Sequence, residues 1–214
     1  DNKMYIVQAR PETVQSLRNA NILEEYKLKE RGKIIISGLS IGSKIGQGKA
    51  HTIEDVRDIE QFKRGEVLVT EMTDPDWVPV MKMASAIVTN RGGRSCHAAI
   101  VSRELGITCI VGTNNATKIL KNEQEVTVSC AEGEKGNVYS GKRAFEIKRI
   151  NLKKLPKTKT KVMVNIGSPE EAFAESFLPV SGVGLAREEF IINDYIGVHP
   201  LALVHFDRLK DKKA

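Results

Sequence analysis

The residues best suited to chemistry lie at positions 89–106, TNRGGRSCHAAIVSRELG. A β-type run ends at Thr89, a turn follows with Gly92 and Gly93, and a helical pattern opens near His97. Glycine permits close backbone approach, and the first turn of a helix presents unpaired N–H groups with partial positive charge, so this turn suits a phosphate or phosphoryl group. Arg94 adds a planar donor. His97 can be a nucleophile at this position, because a neutral imidazole nitrogen can attack phosphorus and the resulting charge sits in the field of the helix end. A plainer reading stands beside this one. A glycine turn before a helix can be only a turn, and at about 100° per residue His97 falls within the arc of Ala98, Ile100, Val101 and Leu105, which suits a buried, hydrogen-bonded histidine. Its place in the first turn argues for chemistry.

The elements that must hold this turn are short and separated by glycine. Ile34-Ile35-Ile36 is followed by Gly38, Gly42, Gly46 and Gly48, which suit turns or bulges in a strand-rich lobe. Strands are predicted at 66–70, 86–89, 108–111, 125–129 and 136–139, with helices at 77–84 and 97–105. The interleaving indicates an α/β domain of about 110 residues, at 32–141. Ahead of it, Tyr5-Ile6-Val7 is a short β-type run ended by Pro11, and a polar helical stretch runs on to Glu30. Beyond it, 161–166 reads as a strand, Ser168-Pro169-Glu170-Glu171 as a helix start continuing to Phe177, and 182–187 as a second strand with another helix after it. This β-α-β-α order opens a barrel or doubly wound sheet and stops after two units, so the chain reads as a segment cut from a longer protein at both ends.

Composition narrows the function classes. The 214 residues are 41% hydrophobic with a net charge of +6, which argues against a disordered chain and raises the question of nucleic acid. The charge is local. Positions 142–161, KRAFEIKRINLKKLPKTKTK, hold nine Lys or Arg and one Glu, and the remainder carries 24 basic and 26 acidic residues. Without interleaved aromatics this segment reads as a polar, hinge-like connector, and the competing reading, a module that binds nucleic acid or an acidic partner, has no recognised motif behind it. No apolar run approaches the roughly 20 residues that cross a bilayer, and the start, DNKMYIVQARPET, lacks the features of a signal peptide; a soluble, cytoplasmic protein without membrane contact is expected. Cys96, Cys109 and Cys130 form no CxxC pair, so reduced thiols are expected, with Cys96 a small packed residue. His51, His199 and His205 lack ligand spacing and receive no function.

Residues 89–106 resemble the phosphohistidine motif of the family of phosphoenolpyruvate-utilising enzymes, which includes the pyruvate dikinases and phosphotransferase-system enzyme I. The resemblance extends upstream through TDPDWVPVMKMASAIV, downstream through ITCIVGTNNATKIL, and to the flanks YIVQARPET and GVGLAREEFIINDYIGVHP, in the expected order. Cys96-His97 and Asp74-Pro75-Asp76-Trp77 favour the pyruvate, water dikinase branch over pyruvate, phosphate dikinase or enzyme I types. The resemblance implies the C-terminal edge of an ATP-grasp domain at 1–31, a swivelling β/β/α phosphohistidine domain at 32–141, a basic linker at 142–161, and at 162–214 the first β/α units of an incomplete (β/α)8 barrel that binds phosphoenolpyruvate or pyruvate. It implies that ATP phosphorylates His97, that water removes one phosphate to leave AMP and phosphate, and that phospho-His97 swings to the barrel and phosphorylates enolpyruvate. This segment alone would not complete turnover. Mg²⁺ is implied at both stations, with its ligands in the domains outside this segment.

Individual positions carry over from the resemblance. Gln8 and Arg10 match the last piece of the ATP-grasp site, where an Arg meets nucleotide phosphates; an exposed turn arginine is the alternative. Arg187 matches the barrel arginine that holds the phosphate of phosphoenolpyruvate, and an ion pair with Glu188 or Glu189 is the alternative. Gly92, Gly93 and Arg94 would position the phosphoryl group. Ser95 stands where the family commonly has Thr, the target of a regulatory kinase-phosphatase; a phosphate there would oppose the arrival of ATP phosphates and inhibit. The resemblance further implies a homodimer for the full-length protein, with no nucleic-acid partner.

Overall fold

A computed structural model describes residues 22–156, 158–168, 172 and 175–205. They divide into two compact units, one spanning Leu23–Ile150 and the other running on from Asn151.

In the first unit, β1 (Ile22–Leu28) pairs with β9 (Phe145–Asn151) as a two-stranded ribbon. Between them lie β2 (Ile34–Ile41), β3 (Ile45–Thr52), β4 (Val67–Thr70), β5 (Ala86–Thr89), β6 (Thr108–Val111), β7 (Glu125–Ser129) and β8 (Lys135–Ser140). These seven close into a barrel in the order β2-β6-β5-β4-β3-β7-β8. The run β3, β4, β5, β6 is parallel, and β2, β7 and β8 complete the ring with antiparallel pairings.

The short parallel strands VLVT, AIVT and TCIV are buried along their whole length, as strands covered on both faces must be. Alternation divides their side chains between two cores. Val67, Val69, Ala86, Val88 and Ile110 join Val126, Val128 and Val138 from the antiparallel strands to fill the barrel. Leu68, Ile87, Cys109 and Val111 face the other way, against Trp77, the helix α1 (Val78–Met81) and the helix α2 (His97–Leu105). Ala116 of the short helix α3 (Ala116–Ile119) and the adjacent Leu120 belong to the barrel core.

Three local expectations change. The glycines at 46 and 48 lie within β3 rather than in turns: a Cβ at Gly46 would collide with the Ser85 carbonyl oxygen, and one at Gly48 with that of Gly65, so the close approach of neighbouring backbone demands glycine in mid-strand. The polar helix expected to reach Glu30 is instead a strand over 22–28. Glu24, Tyr26 and Leu28 alternate onto one half-buried face, where Tyr26 stacks on Phe145 with centroids 6.1 Å apart and Arg149 Nε donates to Glu24 Oε1 at 2.9 Å. Cross-strand pairs of this kind override the helical preference of a short polar run. Finally, the basic segment at 142–161 is not wholly a connector, because seven of its residues form β9 and Leu152–Lys154 a 3₁₀ turn. Its charges are compatible with a strand because Lys148 and Arg149 are exposed and ion pairs such as Lys29 to Glu146, 3.4 Å, cross the ribbon.

In the second unit β10 (Val164–Ile166) runs parallel to β11 (Val183–Ala186), with a register irregularity between Val164 and Asn165. The helix α4 (Glu188–Ile191), a π-helical turn at Ile192–Ile196 and the helix α5 (Pro200–Val204) follow. The expected parallel strand pair is present, and Val183, Leu185 and Phe190 are exposed. The Tyr5-Ile6-Val7 run, Gln8, Arg10 and the helix start at 169–171 lie outside the described residues. Among the described residues no helix is long and apolar enough to cross a membrane.

Candidate active site

Because β4, β5 and β6 are parallel and in adjacent register, the segments leaving their C-terminal ends gather at one end of the barrel. The first carries Thr73, the second carries Gly92, Gly93, Arg94 and Ser95 and leads into α2, and the third begins at Gly112. His97 is the first residue of α2, behind the N-cap Cys96, whose side chain makes no capping hydrogen bond. The first-turn amides therefore face the site without a side chain bonded across them, the arrangement that favours an anion.

The His97 ring is half-buried, and its Nδ1 lies 2.9 Å from the hydroxyl Oγ1 of Thr73, a buried residue. A nucleophilic histidine needs a lone pair on the attacking nitrogen. With Nδ1–H donating to Thr73 Oγ1, the lone pair is left on Nε2. The buried face of α2 consists of Ala98, Ala99, Val101 and Ser102, whereas Ile100, placed by the sequence on the apolar arc beside His97, is exposed. His97 thus sits at the edge of the core, held at one ring nitrogen.

Gly92 has φ +122°, and a Cβ there would lie 2.6 Å from Cys96 Sγ, so both backbone angle and space require glycine. Cys96 fills the space behind the turn, as expected of a packed thiol. A side chain at Gly93 would meet no protein atom, which leaves open space beside the turn. Arg94 is partly exposed, and its Nη2 lies 3.2 Å from Glu134 Oε1, while its backbone carbonyl accepts from Arg103 Nη1 at 2.7 Å and ties the turn to the last turn of α2. Ser95 is exposed. All three cysteines are free, and burial pushes the Cys109 thiol well above its ordinary range.

In the second unit Arg187 directly follows β11 and N-caps α4, with its guanidinium carbon 5.7 Å from the Phe190 ring centroid and Nη1 4.0 Å from Glu189 Oε1. Thr73 opens the upstream run TDPDWVPVMKMASAIV, which by itself gives it no role. No spacing rule could assign one, since it meets His97 across 24 residues of sequence and only the parallel neighbours β4 and β5 bring the two segments together. Of the histidines left without function, His51 pairs through Nδ1 with Glu66 Oε2 at 2.8 Å and so joins β3 to the start of β4. Among the described residues no three His, Cys, Asp or Glu side chains converge, so these residues do not fit a metal centre of their own.

The segment that builds this barrel end lies within residues 62–133, which match the family model of the PEP-utilising enzyme, mobile domain. Over nearly its whole length the chain is similar to phosphoenolpyruvate synthases. It is 56% identical to the phosphoenolpyruvate synthase of Aquifex aeolicus over 98% of this chain, and 54% identical to that of Escherichia coli over 96% of this chain. The chain spans about a quarter of the length of these relatives, 25% and 26% respectively. A solution structure of Enzyme I (nEIt) is 29% identical over 37% of this chain and 33% of that one, with a TM-score of 0.33.

Proposed function

We propose that this chain is the phosphocarrier part of a phosphoenolpyruvate synthase, in which ATP, pyruvate and water give AMP, phosphoenolpyruvate and phosphate through phospho-His97. The observation that carries the reading is the 2.9 Å bond from His97 Nδ1 to Thr73 Oγ1 at the first position of α2. With Nδ1–H as the donor, Nε2 carries the lone pair that attacks phosphorus. The N–P bond forms as the bond from phosphorus to its leaving oxygen breaks, and the proton stays at Nδ1, on its bond to Thr73. The first-turn amides, the backbone at Gly92 and Gly93, and Arg94 after release from Glu134 would receive the phosphoryl oxygens. In the second half of the reaction the N–P bond breaks as the enolate oxygen of enolpyruvate bonds to phosphorus, giving phosphoenolpyruvate and the free His97 ring. Similarity to phosphoenolpyruvate synthases over nearly the whole chain supports this assignment.

In this reading 1–31 completes an ATP-grasp domain, with Gln8 and Arg10 toward the nucleotide; 32–141 is the swivelling carrier, flanked by the ribbon of β1 and β9; and the part of 142–161 beyond β9 links it to a barrel that begins at 162. Arg187, at the end of a parallel strand, would hold the phosphate of phosphoenolpyruvate. Mg²⁺ would be bound by residues beyond those described and would neutralise phosphate charge. The full-length protein would be a cytoplasmic homodimer, and Ser95, exposed beside His97, would be open to a regulatory kinase-phosphatase. The reading is tested by loading the full-length chain with labelled phosphoenolpyruvate and mapping the acid-labile phosphate; label retained in His97→Ala would refute it.

A further inference from the structure

The segment that carries Thr73 is tied to the segment that follows β5. Glu71, the first residue after β4, lies two positions before Thr73, and both of its carboxylate oxygens are used by residues that follow β5. Arg91 Nε lies 2.7 Å from Glu71 Oε1, and the Asn90 side-chain amide donates to Oε2. The backbone repeats the connection, because Arg91 N–H donates to the Glu71 carbonyl at 2.9 Å and Asn90 N–H to that of Thr70 at 3.1 Å. Asn90 is buried and saturated. Its Nδ2 also donates to Thr117 Oγ1 at 2.7 Å, its Oδ1 accepts from Thr117 N–H at 3.1 Å, and its carbonyl accepts from Asn114 N–H at 2.9 Å. Asn90 therefore anchors to the segments beyond β6, and Glu71 anchors to Asn90. Arg91 immediately precedes the Gly92–Gly93 turn.

We propose that Glu71 is a positioning residue for phosphoryl transfer: by gripping Asn90 and Arg91 together, it fixes the segment that holds His97 Nδ1 against the turn that receives the phosphoryl group. This rests on the reading of His97 as the phosphorylated residue. Glu71 makes no contact with His97 and acts through Thr73. Its effect is on which ring nitrogen carries the proton and on where the ring stands relative to the turn, and misplacement of about 1 Å can cost about a hundredfold in rate.

The test uses ¹⁵N-histidine NMR of this 214-residue chain at a pH where the ring is neutral, with His97→Ala assigning the signals. Phosphorylation of the full-length chain from labelled phosphoenolpyruvate is measured in parallel. Glu71→Ala is expected to move His97 from the Nδ1–H form toward a mixture with the Nε2–H form, as Thr73→Ala should, and to slow phosphorylation about 10- to 100-fold. Glu71→Gln, which keeps an acceptor for Asn90, and Arg91→Ala, which removes only an exposed partner, should each give a smaller change of the same sign. Unchanged His97 signals and an unchanged rate in folded Glu71→Ala overturn the proposal; if that variant does not fold, unchanged signals in both Glu71→Gln and Arg91→Ala overturn it. Absence of phosphate on His97 in the unsubstituted chain defeats the functional reading instead, while the tautomer shift still decides whether Glu71 positions the ring.

Discussion

Thr73 and His97 are joined by a single bond, hydroxyl Oγ1 to ring Nδ1 at 2.9 Å, between a buried residue leaving one strand and the first residue of the helix that follows its parallel neighbour. In the proposed reading Nδ1–H donates to this hydroxyl and Nε2 is the reactive nitrogen, so loss of the hydroxyl should be felt in chemistry more than in stability. Thr73→Ala is expected to slow phosphorylation of His97 about 10- to 100-fold, and Thr73→Ser, which keeps the hydroxyl, to recover most of the rate. Single-turnover loading from labelled phosphoenolpyruvate measures both; a Thr73→Ala protein as fast as the parent would show that the bond does not prepare the ring.

Gly92 is constrained twice, by φ +122° and by Cys96 Sγ. Gly92→Ala should lower stability by about 1–3 kcal/mol in urea titration and also slow phosphorylation, since the turn must shift. Adding Cys96→Ala removes the steric contact but not the backbone strain, so the double variant should recover part of the loss. Full recovery would mean that the thiol alone demands glycine.

Arg94 separates stability from function. Its ion pair is with Glu134, whose side chain is 89% exposed, and such surface pairs contribute little to folding. Arg94→Ala should leave stability within about 0.5 kcal/mol while lowering the phosphorylation rate about tenfold or more. Glu134→Gln should leave the rate unchanged or raise it, because the guanidinium is then free to meet the phosphoryl group. A rate unaffected in Arg94→Ala would assign the arginine to the surface alone.

Much of this site was legible in the sequence, for reasons that differ by residue. Strand β5, helix α2 and strands β6 and β7 stand where alternation and glycine placed them, because each is a short apolar run between clear turns. His97 and Gly92 could be singled out because the motif is contiguous. Thr73 and Glu71 could not, since their partners are brought to them by parallel strand pairing. Strand β3 was hidden by its glycines, which look like turns until the carbonyls of Ser85 and Gly65 are seen against them. Strand β1 was hidden because its partner lies more than a hundred residues away, at Arg149.

Away from the site, Tyr139 supplies a pH test of the barrel. Burial, reinforced by its hydrogen bond to Glu132 Oε2 at 2.6 Å and by that carboxylate's charge, pushes its phenol up to about 12. The folded value lies above the ordinary 10.0, so the neutral form is the one the fold favours. Its stabilising contribution is complete below pH 10 and lost as pH rises through about 12. Among the tyrosines followed by phenolate absorbance, Tyr139 should ionise late, and Glu132→Gln should bring its midpoint down. A midpoint near the ordinary value in the intact protein would contradict the buried pairing.

The most direct test of the whole reading is the position of the phosphate. The full-length chain is loaded with ³²P-labelled phosphoenolpyruvate, and the phosphorylated nitrogen is identified by ³¹P NMR of the denatured protein. The expected result is one acid-labile phosphate per chain, on Nε2 of His97, and none in His97→Ala. Phosphate on Nδ1, or on any residue other than His97, would contradict it.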